Sequence, residues 1–237
     1  MLLLMSACSE NDTESTATVA VPARDTSHWH GPGALERVHF AQVADNVKHD
    51  TLAVQITFDM QDGTHLMVAA NAEETFEGLA LYHYRAKVDS GAEVLARSGP
   101  AYDSWTMFPT FFREPGGNGP LLVFANFGEK QSWGQKVMRM DSTGFTDIGF
   151  LEVALPVRVH EPDSSYLKRE TIAPFLRAFG DTVEFACDSL YIYDDGAGGR
   201  DLILPARDVR YVMGGAQPAL HLNRQQVPVT AQDSSAL

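Results

Sequence analysis

The residues able to do chemistry in this chain are spread out more than gathered. His28-Trp29-His30 has the His-x-His spacing that lets two imidazoles ligate a metal from one face of a strand. A zinc site needs three or four convergent ligands, and His39, His49, His65, His83, His160 and His221 are scattered. We therefore expect no metal and no cofactor here, and read Trp29 as a residue that docks onto the folded region. Asp194, Asp195 and Asp201 surround a Gly-rich loop. No Glu closes the twelve-residue pattern that calcium loops use, so the expectation is a hairpin tip. Cys187, in Val183-Glu-Phe-Ala-Cys187, falls on the apolar face of an alternating strand beside acidic neighbours. A reactive thiolate wants an electropositive, partly exposed setting, so a buried, inert thiol is expected. The chain has no G-x-S-x-G, Walker loop or H-E-x-x-H, and no catalytic residue is assigned.

Val88-Asp89-Ser90-Gly91-Ala92 resembles the D-T/S-G-A turn of the retroviral-type aspartic proteases, which implies a carboxylate that shares a proton with a second one. The second copy, Asp141-Ser142-Thr143-Gly144, is interrupted by Thr143, and Lys87 stands where that family has an apolar residue. The reading carried forward is a hairpin turn, with Asp capping through its side chain and Gly supplying positive φ.

One further group stands out. Trp105, Phe108, Phe111, Phe112, Phe124, Phe127 and Trp133 crowd a short stretch. Most should be β core, but Trp133 sits in the polar segment Gly128–Gly134, read as a loop between two strands. Loops at strand ends collect binding residues. Trp105, Phe108 and Trp133 are thus the candidate ligand-binding residues, for a protein or glycan partner.

The elements that position these residues read as strands. Leu52, Val54, Ile56 and Phe58 alternate with polar or small residues, the period of a half-buried strand. Asp62-Gly63 turns the chain into a second strand, Leu66–Asn71. Leu79–Val88 and Ala92–Arg97 follow across Asp89-Ser90-Gly91. The pattern then recurs. Leu66-Met-Val68-Ala-Ala70-Asn71 returns as Leu121-Leu-Val123-Phe-Ala125-Asn126, Thr57-Phe58 as Thr110-Phe111, and Gly78 as Gly134. Two diverged units of about 53 residues, 50–98 and 104–155, are each expected to be a four-stranded antiparallel meander. A four-stranded unit with a D-S-G turn before its last strand resembles a β-propeller blade. Propellers need roughly four to eight blades to close, so two units imply a sandwich or an open propeller-like fragment. Thr182–Tyr193 and Asp201–Met213 read as a long hairpin, 182–213. Gly33–Lys48 mixes helical and strand spacing and is left open. His160–Ser165 reads as a linker, and Tyr166–Ile172 as one or two helical turns stopped by Pro174.

The fold class is mostly β, with a single domain expected over 28–222 and a disordered tail over 223–237. The 237 residues, 44% hydrophobic and 21% charged, can bury a real core. A net charge of −13, with 13 Arg and 5 Lys never clustered, argues against nucleic acid and against a polybasic membrane patch.

Met1-Leu-Leu-Leu-Met-Ser-Ala-Cys8 is similar to the end of a bacterial lipoprotein signal peptide, an apolar run leading through small residues to a cysteine. It lacks a positive n-region and is short, which fits a translation start upstream of Met1. The resemblance implies cleavage before Cys8 (segment 1–8), acyl chains on Cys8, and anchoring in a membrane. Ser9 rather than Asp after the cysteine implies an outer membrane. The next stretch, 9–27, is polar and expected to be a disordered tether; Ser9–Arg24 reach roughly 20 Å on average. The functional expectation is an exported, lipid-anchored binding or envelope-assembly module. A hydrolase of an envelope or nutrient polymer is the alternative.

Overall fold

A computed structural model of the chain describes residues 33–44, 47, 51–72, 78–87, 91–102, 104–117, 119–194, 200–215, 217–223 and 225–226. Cys8, the tether, His28-Trp29-His30, Asp89-Ser90 and the Gly-rich stretch 195–199 lie outside the described residues. So does 227–237 of the expected tail.

No α-helix occurs among the described residues, and the strands run β1 (Glu36–Val38), β2 (Ala41–Val43), β3 (Leu52–Asp59), β4 (His65–Asn71), β5 (Ala80–Ala86) and β6 (Ala92–Arg97), then β7 (Thr106–Arg113), β8 (Leu121–Gly128), β9 (Ser132–Asp141) and β10 (Gly144–Leu151). The two expected meanders are present. β7–β10 continue from β1 as sheet I, and β3–β6 continue from β2 as sheet II. The undecided segment 33–48 therefore supplies one edge strand to each sheet. All pairings are antiparallel.

Leu66–Asn71 and Leu121–Asn126 occupy the same place, the second strand of their meanders. Gly78 and Gly134 are matched by what excludes a side chain. A Cβ at Gly78 would lie 1.9 Å from the Tyr102 carbonyl oxygen, and one at Gly134 would lie 2.5 Å from that of Leu151. Each carbonyl belongs to chain at or just past the end of the fourth strand of its unit. The Thr-Phe match is shifted. Phe58 pairs with Leu66, whereas Phe111 pairs with Val123, the counterpart of Val68. The displacement is two residues, so Phe58 and Phe111 keep the same face.

That face decides between sandwich and propeller. Leu66 and Val68 of sheet II share one core with their counterparts Leu121 and Val123 of sheet I. Phe58 and Phe111 meet edge to face with ring centroids 5.5 Å apart. Equivalent faces thus meet each other, as across a two-fold axis. Propeller blades, related by rotation about a common axis, bring opposite faces together. The two units form a sandwich.

Between the units, Ser98 exchanges hydrogen bonds with Leu81, its hydroxyl accepting from the Leu81 N–H at 2.9 Å. Lys136 donates to the Pro100 carbonyl at 2.8 Å and to Asp147 at 3.0 Å. The linker is thereby fixed to β9.

The second face of sheet I is covered as well. β11 (Val153–Glu161), β12 (Ser164–Glu170), β15 (Ser189–Asp194) and β16 (Arg200–Pro205) make sheet III, in the order β12-β11-β15-β16. β13 (Leu176–Phe179), β14 (Thr182–Phe185), β17 (Val209–Val212), β18 (Ala219–Leu222) and β19 (Gln225–Gln226) make sheet IV. Phe112, Leu122, Phe124 and Val137 of sheet I share a core with Leu190 and Ile192 of sheet III and Val183 and Tyr211 of sheet IV. Buried on both faces, β8 carries the near-continuous apolar run LLVFANFG that such a position demands.

The hairpin over 182–213 is present, with a break. Val183 pairs with Tyr211 in sheet IV, and six residues further on each arm Ser189 pairs with Pro205 in sheet III. The register is unbroken while the ribbon changes sheets, through a bend at 186–188 on one arm and a 3₁₀ turn at Ala206–Asp208 on the other. Cys187 lies in that bend rather than on the strand.

Three expectations are corrected. His160–Ser165 is the tip of the β11–β12 hairpin, with His160 paired to Ser165 and Glu161 to Ser164. Tyr166–Glu170 is strand, not helix. Gln225 and Gln226 pair with β18 and so do not belong to a disordered tail.

Candidate functional site: the aromatic end of sheet I and a cleft at the opposite end

The crowded aromatics of unit two separate into two sets. Phe111, Phe112, Phe124 and Phe127 are buried core. Trp105, Phe108 and Trp133 are 76%, 51% and 49% exposed. All three lie at the end of sheet I where β8 turns into β9. Trp105 immediately precedes Thr106, which pairs with Gly128 and whose hydroxyl donates to the Gly128 carbonyl at 2.6 Å. Phe108 pairs with Asn126, and Asn126 with Gln135, two residues from Trp133. Trp133 belongs to β9 itself, not to the loop, which is only 129–131.

A polar cluster between Phe108 and Trp133 sets this end of the sheet. Asn126, Ser132 and Gln135 are buried; the Asn126 Oδ1 accepts from the Ser132 hydroxyl at 2.7 Å and from Gln135 Nε2 at 2.8 Å. Gln135 Oε1 has no hydrogen-bond partner among the described residues. Such a buried acceptor costs about 1–3 kcal/mol.

Trp133 is steadied from sheet III by a residue the sequence did not single out. Arg169 donates from both its backbone N–H and Nε to Gln131 Oε1, at 3.2 and 3.3 Å. Its guanidinium then stands 5.8 Å from the Trp133 ring centre and 5.5 Å from that of Tyr191. The indole is therefore neither a lid sunk into the core nor a free group. One side rests on a fixed cation and about half of it meets solvent.

At the opposite end of the sandwich, the hairpins of the two units enclose a cleft of about 700 Å³, lined by Met60, Asp62, His83, Arg113, Met140 and Asp141 among others. Two turns of the same design frame it. Asp62 Oδ1 accepts from the Thr64 amide at 2.9 Å and hydroxyl at 2.5 Å. Asp141 Oδ1 accepts from the Thr143 amide at 2.8 Å and hydroxyl at 2.5 Å. The D-S-T-G segment is thus a turn capped by its carboxylate, as expected for Asp141.

Burial pushes the Asp62 carboxyl up, but the Thr64 hydroxyl and amide together outweigh it and hold it below its ordinary value. The Thr143 hydroxyl and amide hold Asp141 low in the same way. His83 Nε2 lies 2.8 Å from the Thr64 hydroxyl oxygen. That hydroxyl gives its proton to Asp62, so His83 Nε2 is the donor. Burial pushes the His83 imidazole down, with Asp62 only partly opposing it. His83 therefore faces the cleft region as a neutral ring with its Nε2 proton committed.

Sequence reasoning found the three exposed aromatics and missed Arg169, Tyr191, His83 and Arg113. Cys187 is half-buried, its thiol pushed up to about 11 by burial, in keeping with an inert role. No protein-family model, curated protein or solved structure matches the chain.

Proposed function

We propose that the protein is an exported lipoprotein, anchored through acyl chains on Cys8 in a membrane, with the outer membrane favoured by Ser9. Its β sandwich presents a binding or envelope-assembly surface. The partner-binding residues are Trp105, Phe108 and Trp133. The observation that carries the reading is the exposure of these three rings together at one end of one sheet. Aromatic surface left in water costs free energy unless a partner covers it. Arginine between an exposed tryptophan and a half-buried tyrosine is also the composition of protein-binding hot spots.

The anchoring and the surface are tested separately. Mass spectrometry of the membrane fraction is expected to find Cys8 as the acylated N-terminal residue; an unmodified Cys8 in soluble protein overturns the anchoring. A Trp105→Ala/Trp133→Ala double variant is expected to lose its partner while keeping its circular dichroism spectrum. Full partner recovery by that variant overturns the surface.

The cleft supports a second reading, hydrolysis of an envelope or nutrient polymer, because His83, Asp62, Arg113 and Asp141 converge there. On that reading His83→Gln abolishes turnover of a cell-wall or glycan substrate by the purified protein. Absence of turnover by the unaltered chain rejects it.

A further inference from the structure

The cleft between the two units holds charges of both signs, and two of them are open to a ligand. Arg113, half-buried at the end of β7, lines it from sheet I. Glu36 stands opposite Arg113 in β1, yet among the described residues the guanidinium makes no hydrogen bond or ion pair. Asp62 lines the cleft from the turn between β3 and β4 of sheet II. The Thr64 amide and hydroxyl both donate to its Oδ1, which leaves Oδ2 to accept from a ligand. The same two bonds hold the carboxyl below its ordinary value, so it is ionised at neutral pH.

The other ionisable groups of the lining are engaged within the protein. Asp141 Oδ2 lies 3.6 Å from the Arg139 guanidinium, whose charge offsets it. The His83 Nε2 proton goes to the Thr64 hydroxyl oxygen. Phe40, Met60, Leu121 and Met140 supply the apolar part of the lining.

We infer that the cleft binds a short peptide with free ends, its carboxylate on Arg113, its ammonium on Asp62 and its side chains against the apolar lining. The inference names a ligand for the cleft of the second reading and does not require hydrolysis. An unpaired guanidinium meets a carboxylate bidentately, and an ionised carboxylate accepts from an ammonium. With one open charge of each sign, the site complements a zwitterion and disfavours a ligand of either net charge. The volume of about 700 Å³ is that of a site for a drug-sized molecule. Because the two charges come from different sheets, the ligand has to span the cleft. The lipid headgroup phosphoethanolamine is also a zwitterion, but a short ethylene link joins its charges and it has no side chain to meet the methionines. A short peptide has both the span and the side chains.

The test titrates the full chain by calorimetry with the tripeptide Ala-Leu-Ala, with its N-acetylated and C-amidated forms, and with phosphoethanolamine. Saturable binding of the free tripeptide is expected, and either block should weaken it at least about tenfold, which equals about 1.4 kcal/mol. Arg113→Gln is expected to weaken the free tripeptide by the same factor and to leave the amidated one unchanged, because both changes remove one interaction. Asp62→Asn keeps an Oδ1 acceptor for Thr64 and should act in the same way toward the acetylated form. The blocked peptides probe these contacts in the unaltered protein, so the test survives a variant that fails to fold. No saturable binding at millimolar peptide, indifference to both blocks, equal variant effects on free and blocked peptides, or phosphoethanolamine binding as tight as the tripeptide each overturns the inference. End-dependent binding by a chain that turns over no cell-wall or glycan substrate keeps the inference and fails the hydrolysis reading. Turnover without tripeptide binding does the reverse, and absence of both fails the two together.

Discussion

Replacing Trp133 with alanine measures how far the indole serves the fold. A tryptophan side chain buries up to about 250 Å² when fully enclosed. With 49% of it exposed, about 120 Å² leaves the interior on truncation. At about 25 cal/mol per Å² this is about 3 kcal/mol, an upper bound because the unfolded chain also hides part of the ring. The Arg169 contact adds about 0.5–1 kcal/mol, partly recovered because the guanidinium keeps Tyr191 and Gln131. The expected cost is about 2–3 kcal/mol. Phe124, fully buried in the same sheet, provides the scale: Phe124→Ala should cost about 3–5 kcal/mol. Urea denaturation followed by circular dichroism reads both variants under one set of conditions. A Trp133→Ala cost equal to or above that of Phe124→Ala means that the ring is a structural lid and refutes the argument for a presented surface. A cost below about 0.5 kcal/mol refutes the packing of Trp133 on Arg169.

Four other outcomes follow from the structure. Gly78→Ala puts a methyl group 1.9 Å from the Tyr102 carbonyl oxygen and should cost about 3 kcal/mol or more. Gly63→Ala, with φ at +82° and open space around it, should cost only about 1–2 kcal/mol in the same melt. Burial holds the His83 pKa below its ordinary 6.5, so the folded protein binds fewer protons there than the unfolded chain. Its contribution is complete above that ordinary value and declines as pH falls from there toward the depressed one. Urea midpoints taken from pH 7.5 to 5 should therefore fall, and fall less steeply in His83→Gln. Cys187, its thiol raised to about 11 by burial, should react with iodoacetamide at neutral pH only when urea unfolds the chain; fast labelling of the folded protein contradicts that placement.

The alternation of apolar residues made both meanders and the 182–213 hairpin legible, because each of those strands has one buried face. It could not show whether the units form a sandwich or a propeller fragment. Period two says that Leu66 and Val68 point inward, not which face of the neighbour they meet. It also failed where a strand has no consistently buried face. Much of β11–β12 extends beyond the core, exposed on both sides near its tip, so Ser164–Glu170 carries no alternation and resembles a turn of helix. The partner strand, not the local sequence, holds it extended.

The site was legible to the same degree and for the same kind of reason. Trp105, Phe108 and Trp133 could be named because large aromatics in a polar setting are conspicuous. Their support could not. Asn126, Ser132 and Gln135 are polar residues buried through one another, and along the sequence such residues look like loop, which puts Trp133 outside a strand that in fact contains it. Arg169 reaches Trp133 from a different sheet, across 36 residues of chain, held there by Gln131. That support shows only once strand pairing brings β12 beside the turn before β9 and sets Arg169 against Gln131.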